Sequence, residues 1–239
     1  MMRTATDDRA LDDFWEASSL DRFRVGAFTT RLLAYADQPP AVHPLTPPGA
    51  PIELRPVHDR LQRLFNARRS RRSFSHRPLR HRHVERILAA TGPGPGGRVI
   101  PEAGGLAAIH VYALVRHARG PLGGQVVRYD HVTHQATPLG AVPPDDRLRE
   151  LFGLDGATLP QQVLVFVVDP TAVIAKYGSR GGRFVLQQVG HAAQNVGLRL
   201  AVDRLRGYVL GGGLDHDVLH VLGLAHTGAR YAGAMACGR

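Results

Sequence analysis

Residues 162–169 read QVLVFVVD, with six apolar residues in succession from Val163 to Val168. Successive residues of a strand face opposite sides, so this run has no polar face to offer water. It is far too short to cross a membrane. It therefore predicts a central strand covered on both sides, and the rest of the chain must supply both its neighbours and its cover. Further strands are expected at IHVYALVR (109–116), QVVRYD (125–130) and YAGAMACG (231–238). Cover is expected from HDRLQRLFN (58–66), with Leu61, Leu64 and Phe65 on one helical face, and from RHRHVERILAAT (80–91), with Val84, Ile87 and Leu88 inward. The longest helical stretch, 183–205, is apolar on more than one face and predicts burial against the sheet and against a second subunit. GGGLDHD opens another helix at about 214–223. There is no internal repeat. Helices flanking a mostly antiparallel sheet give an α+β class.

Residues 1–55 read as an irregular arm, with a short helical stretch from Leu20 to Tyr35, seven prolines from Pro39 to Pro56 and a strand at IELRP. Such proline density builds neither a helix nor a central strand. The expected organisation is a Pro-rich arm, 1–55, and one domain, 56–239. GPGPGG (92–97) spells a dinucleotide fingerprint, but it follows a helix and not a strand, so it reads as a loop. The absence of any apolar run of 18 residues argues against a membrane span, and the acidic N-terminal stretch lacks a secretory h-region. Cys237 is the sole cysteine, which excludes an internal disulfide or a multi-cysteine zinc site and fits a reducing cytoplasm.

The formal charge is +10, and Lys176 is the only lysine among 30 basic residues. GC-rich codon usage accounts for an Arg excess, and it makes the one Lys conspicuous. An ammonium can lose its proton when desolvated, whereas a guanidinium effectively cannot. A functional amine and a surface remnant both fit composition. Nine arginines fall between Arg60 and Arg82. They fit a nucleic-acid patch, a solvated basic face, or a loop, RRSRRSF (68–74), holding one phosphate by charge-assisted hydrogen bonds. Only Phe65 and Phe74 could stack on bases there. His81, His83 and Glu85, and likewise Asp215, Asp217 and His220, read as polar helix faces, and no metal is expected.

Four blocks together resemble the flavin-dependent nitroreductase superfamily, and more narrowly the SagB-type (McbC-like) dehydrogenases. The first is Arg68–Phe74, similar to the family's RRSxRxF. The second is PEAGGLAAIHVY (101–112), similar to PSAGGLYPxExY, with Glu102 in place of Ser, Ala107 and Ala108 in place of Tyr-Pro, and His110 in place of Glu. The third, KYGSRGGRFVLQQVGHAAQNVGL (176–198), is similar to KYGxRGYRxxLxExGHxxQNLxL, with Gly182 replacing an aromatic and Gln188 replacing Glu. The fourth is the glycine loop and helix at 211–224.

The resemblance covers about residues 58–239 and implies a nitroreductase-like fold with FMN at a homodimer interface. By the same resemblance, Arg68, Arg69, Ser70, Arg72, Gly104, Gly105, Gln194, Asn195, Gly212 and Gly213 bind FMN, while Lys176 and Tyr177 form the catalytic dyad. The implied reaction oxidises thiazoline or oxazoline rings of a ribosomal peptide to thiazole or oxazole, with a base removing a proton, FMN accepting a hydride and dioxygen as final oxidant. The implied partners are the azoline-bearing precursor peptide and the cyclodehydratase of its pathway, with no nucleic acid and no membrane. Three of these departures, Glu102, Gly182 and Gln188, support an alternative: a non-catalytic paralogue that scaffolds a peptide-modifying complex.

Overall fold

The computed structural model describes residues 5–38, 52–94 and 97–239. Its centre is a six-stranded antiparallel sheet of order β5-β4-β3-β6-β8-β7. The strands are β3 (Ile109–Val115), β4 (Gln125–Asp130), β5 (Gln135–Ala141), β6 (Gln162–Val168), β7 (Arg206–Leu210) and β8 (Arg230–Gly238). β1 (Pro93–Gly94) and β2 (Gly97–Arg98) pair as a separate small hairpin in the expected loop. The α+β expectation holds, and the apolar run is β6, buried at every position between β3 and β8.

The two faces of β6 feed two separate cores. Leu164, Phe166 and Val168 pack on one side, beneath α4 (His81–Ala89) and α7 (Gly181–Val202). Val163, Val165 and Val167 pack on the other, beneath α5 (Asp145–Phe152) and α8 (Asp215–Val221). α5 begins with Asp145 and Asp146 at the positive end of its dipole and ends on Gly153 in the left-handed region, φ 60°. α3 (Arg60–Ala67) is capped by Asp59, whose carboxylate accepts from Gln62 N at 2.7 Å.

The N-terminal stretch differs from its reading as irregular. α1 (Ala5–Ser18) and α2 (Val25–Asp37) are helices, the second close to the expected helical stretch. α1 is docked: Leu11 and Trp15 are each only 6% exposed, and Trp15 Nε1 donates to Tyr231 O at 3.1 Å. Leu20 N donates to Asp215 Oδ2 and Asp215 N to Leu20 O, both at 3.0 Å. The structure differs because charged residues dominate this segment and its docking rests on buried Leu11 and Trp15 with the ion pair of Asp12 to Arg230. IELRP forms no strand, and the Pro-rich stretch 39–51 lies outside the described residues. β5, α5, α6 (Thr171–Tyr177) and β7 have no counterpart in the expected elements. β5 escaped because it is an exposed edge strand carrying Pro138, a position edge strands tolerate.

A Cβ at Gly182 would overlap Leu11 Cδ1. Trp15 is the only tryptophan, so its fluorescence reports α1 docking. Native protein should emit at the blue wavelengths of a buried indole. Gly182→Leu should shift that emission to the red well before far-UV circular dichroism records global unfolding. Solvent-like emission from the native protein would contradict the docking.

Candidate functional site

A cleft of about 420 Å³ opens where α7 crosses the β7–β8 edge of the sheet. Phe166 of β6 lies at its floor, and the segment after α3 forms one wall. α7 presents Gly190, Ala193, Gly197 and Ala201 to it. These small residues recur at helical spacing among Leu186, Val189 and Leu200 of the same helix, which leaves room between the larger side chains for a flat ring system. The wall carries Arg68, Arg69 and Ser70, and Gln194 lines the opposite side. The Arg68 stem rests on Gly197, where an added Cβ would come within 3.2 Å of Arg68 Cδ. The backbone of this loop is tied to the sheet by Arg71 N, which donates to Gly207 O at 3.0 Å. Arg72 turns to the rim, its guanidinium 5.1 Å from the centroid of the Tyr208 ring. Burial raises the Tyr208 pKa, against the opposing pull of Arg72.

Among the residues expected to bind FMN, Arg68, Arg69, Ser70 and Gln194 thus share one cleft, with Arg72 at its edge. Gly213 lines an adjoining cleft that shares Leu186, Leu210, Ala232 and Gly233 with the first. A Cβ there would fall 2.5 Å from Tyr231 Oη, and at Gly212 it would meet open space. Asn195 is turned elsewhere, with Nδ2 donating to Val99 O at 3.2 Å. Gly104 and Gly105 do not line the cleft within one chain. They form a turn with φ 61° and 72°, in which Gly104 packs on Lys176 and Tyr177 and Gly105 faces open space. Tyr208 and Phe166 were not singled out from sequence. Tyr208 sits on β7, which follows the long helix so closely that no separate strand was expected.

Lys176 and Tyr177 close α6, and the Lys176 ammonium lies 5.3 Å from the Tyr177 ring centroid. Tyr177 meets Phe184 edge-on at 5.1 Å. Lys176 is exposed in the single chain, so any desolvation of its amine must come from what binds over it. Glu102, in the same turn segment as Gly104, is paired at 3.0 Å with Arg98, whose side chain is 3% exposed. Burial lowers the Arg98 pKa, and Glu102 opposes that shift. The histidines and acids weighed as metal ligands have other engagements. His81 pairs with Glu85 at 3.4 Å, and Asp217 with Arg147 at 3.1 Å.

A cleft with a cationic, hydroxyl-bearing wall and small residues spaced along its helical side suits a flat phosphorylated cofactor. The Nitroreductase family model matches residues 66–239. The chain belongs to the nitroreductase family. Family membership makes it a flavin-type oxidoreductase by fold. A Methanocaldococcus jannaschii protein named as a nitroreductase is 28% identical over 171 residues, covering 68% of this chain and 84% of its own. A chain of the Escherichia coli microcin synthetase McbBCD complex, solved with truncated pro-MccB17 bound, superposes with a TM-score of 0.75 at 19% identity, covering 99% of this chain and 94% of that one. A Desulfovibrio desulfuricans nitroreductase solved in complex with FMN gives a TM-score of 0.53 at 16% identity, over 76% and 87% of the two chains. At such identities the two structures attest the shared fold.

The residues present fit FMN: the cleft volume falls within the roughly 300–1,000 Å³ of small-molecule sites, and Arg68, Arg69 and Ser70 offer donors for a phosphate. Gly190 lines the cleft and has nothing within 4 Å of an added Cβ. Gly190→Phe should therefore fill the ring space without strain and hold or raise the melting temperature, since Gly costs about 1 kcal/mol in a helix interior. The purified variant should be colourless after incubation with FMN. A folded Gly190→Phe protein that takes up flavin like the parent would contradict this placement of the ring.

Proposed function

We propose that the protein is an FMN-dependent azoline oxidase, converting thiazoline or oxazoline rings of a ribosomally made peptide to the aromatic azoles. The observation that carries this reading is the close approach of Lys176 and Tyr177 to Gly104 in its turn. The turn belongs to a block resembling the flavin-contacting segment of SagB-type enzymes, so the amine–phenol pair is set beside it. The superposition on the McbBCD chain over nearly the whole length gives fold-level support. Bound in the cleft, FMN would supply the hydride acceptor. The protein then has three tasks. Arg68, Arg69 and Ser70 hold the phosphate. The small-residue side of α7 admits the ring. Lys176 or Tyr177 takes the ring proton of the azoline as the carbon–hydrogen bond beside it loses its hydride, and the exposed position of Lys176 lets a peptide reach it.

We further propose a homodimer in which the 101–106 segment of one chain completes the cleft of the other. In one chain the turn and the cleft are separate. α2 also buries none of its residues, and Phe23, Leu33, Ile52 and Leu54 are well exposed. Light scattering at micromolar concentration should give twice the 26.0 kDa chain mass, and a monomer that retains flavin would contradict the arrangement. The precursor peptide and its cyclodehydratase are the proposed partners. A non-catalytic scaffold is the second reading, favoured by Glu102, Gly182 and Gln188.

Arg68→Ala with Ser70→Ala should lower FMN retention. Lys176→Ala and Tyr177→Phe should instead stay yellow and folded while azoline oxidation drops roughly 100- to 10,000-fold, the range for loss of a general acid or base. Lys176→Arg keeps the charge but cannot deprotonate. Failure as deep as that of Lys176→Ala makes the amine the base, and near-full activity assigns that role to Tyr177. Normal turnover by all three variants would overturn the assignment.

A further inference from the structure

The segment bearing Gly104 is fastened at both ends. At its start Arg98 Nη1 donates to Glu102 Oε1 at 3.0 Å, while Nη2 donates to Ile109 O at 3.0 Å and lies 2.6 Å from His131 Nδ1. A guanidinium has no acceptor, so His131 Nδ1 must be the lone-pair partner. At its end Gln188 Nε2, from α7, lies 3.5 Å from Leu106 O. Between the two anchors the backbone turns through the left-handed region, and the turn touches the reactive pair. A Cβ on Gly104 would fall 2.5 Å from Lys176 Nζ and closer still to Tyr177 Oη.

We propose that Arg98, acting through Glu102, is a positioning residue for the Lys176–Tyr177 pair. Resting on the reading above, this assigns a role to a residue that touches neither the cleft nor the reacting atoms. A lysine side chain has a flexible four-carbon stem. The Gly104 backbone forms a wall beside it that removes part of that freedom, and the wall stands only while the segment is held. Arg98 is almost wholly buried, so removing its carboxylate partner leaves a buried charge uncompensated and releases the segment. Glu102 and Gln188, two of the departures from the family pattern, are thus the two fasteners of one turn.

The chain's single lysine provides a test independent of enzymatic turnover. FMN-loaded protein is treated with sulfo-N-hydroxysuccinimide acetate, and acylation at Lys176 is followed by mass spectrometry with the N-terminal amine as internal reference. Glu102→Gln and Arg98→Gln should each speed Lys176 acylation relative to the N-terminal amine, because the Gly104 wall no longer restrains the flexible lysine stem. Arg98→Lys, which keeps the charge but not the fork, should fall between them and the parent. With an azoline peptide and flavin loading equal to the parent's, kcat should fall. If Arg98→Gln fails to fold, the near-isosteric Glu102→Gln decides. A folded Glu102→Gln protein that acylates at the parental rate overturns the proposal. Faster acylation in a protein whose parent oxidises no azoline supports the positioning role and refutes the functional reading instead.

Discussion

Everything in this fold follows from a strand that has no wet side. β6 buries all seven of its residues, so helices must cover both faces of the sheet at its centre. On one face that cover is α7, the longest helix, and its sequence makes it more than a lid. Val185, Val196 and Leu200 seal the core, while Gly190, Ala193 and Gly197 decline to fill the space beside β7 and β8. The cleft is the region where the helix stays near the sheet without packing into it. Close packing elsewhere keeps it from collapsing, because an interior at native density transmits little slack.

Three of the departures from the family pattern have neighbours that the sequence alone does not show. Glu102 would carry an unpaired charge near the site, but Arg98 neutralises it at 3.0 Å. Gly182 lacks the aromatic side chain of the pattern, and the space is taken by Leu11 from α1. Gln188 reaches toward Leu106 O from a buried position. Gln188 Oε1, in contrast, is buried without a hydrogen-bond partner among the described residues.

Much of this was legible in the sequence, and what was not has identifiable causes. Strong periodicity or unbroken apolarity announced β3, β4, β6, β8 and the long helix, to within about three residues at their ends. The Lys-Tyr dipeptide stood out against the Arg bias, and the RRSRRSF loop, with an anion cradle among its readings, lies at the cleft wall through Arg68, Arg69 and Ser70. α1 was missed because its burial rests on Leu11 and Trp15 alone, and β7 because five residues between a helix and a glycine loop give no period to read. Arg98 carries no local signal at all. Its role depends on a three-dimensional meeting with Glu102, Ile109 and His131, and only one of these is within four positions in sequence.

The central claim is that the azoline ring passes a hydride to a flavin held in this cleft, with Lys176 and Tyr177 providing the proton acceptor. It is tested most directly by mixing FMN-loaded protein anaerobically with an azoline-bearing peptide and following the flavin absorbance through a single turnover. The account predicts bleaching of the oxidised flavin band with stoichiometric formation of the azole, abolished in Lys176→Ala protein that carries the same amount of flavin. A flavin band that persists in the parent protein with bound peptide, or that bleaches equally fast in Lys176→Ala, would contradict it.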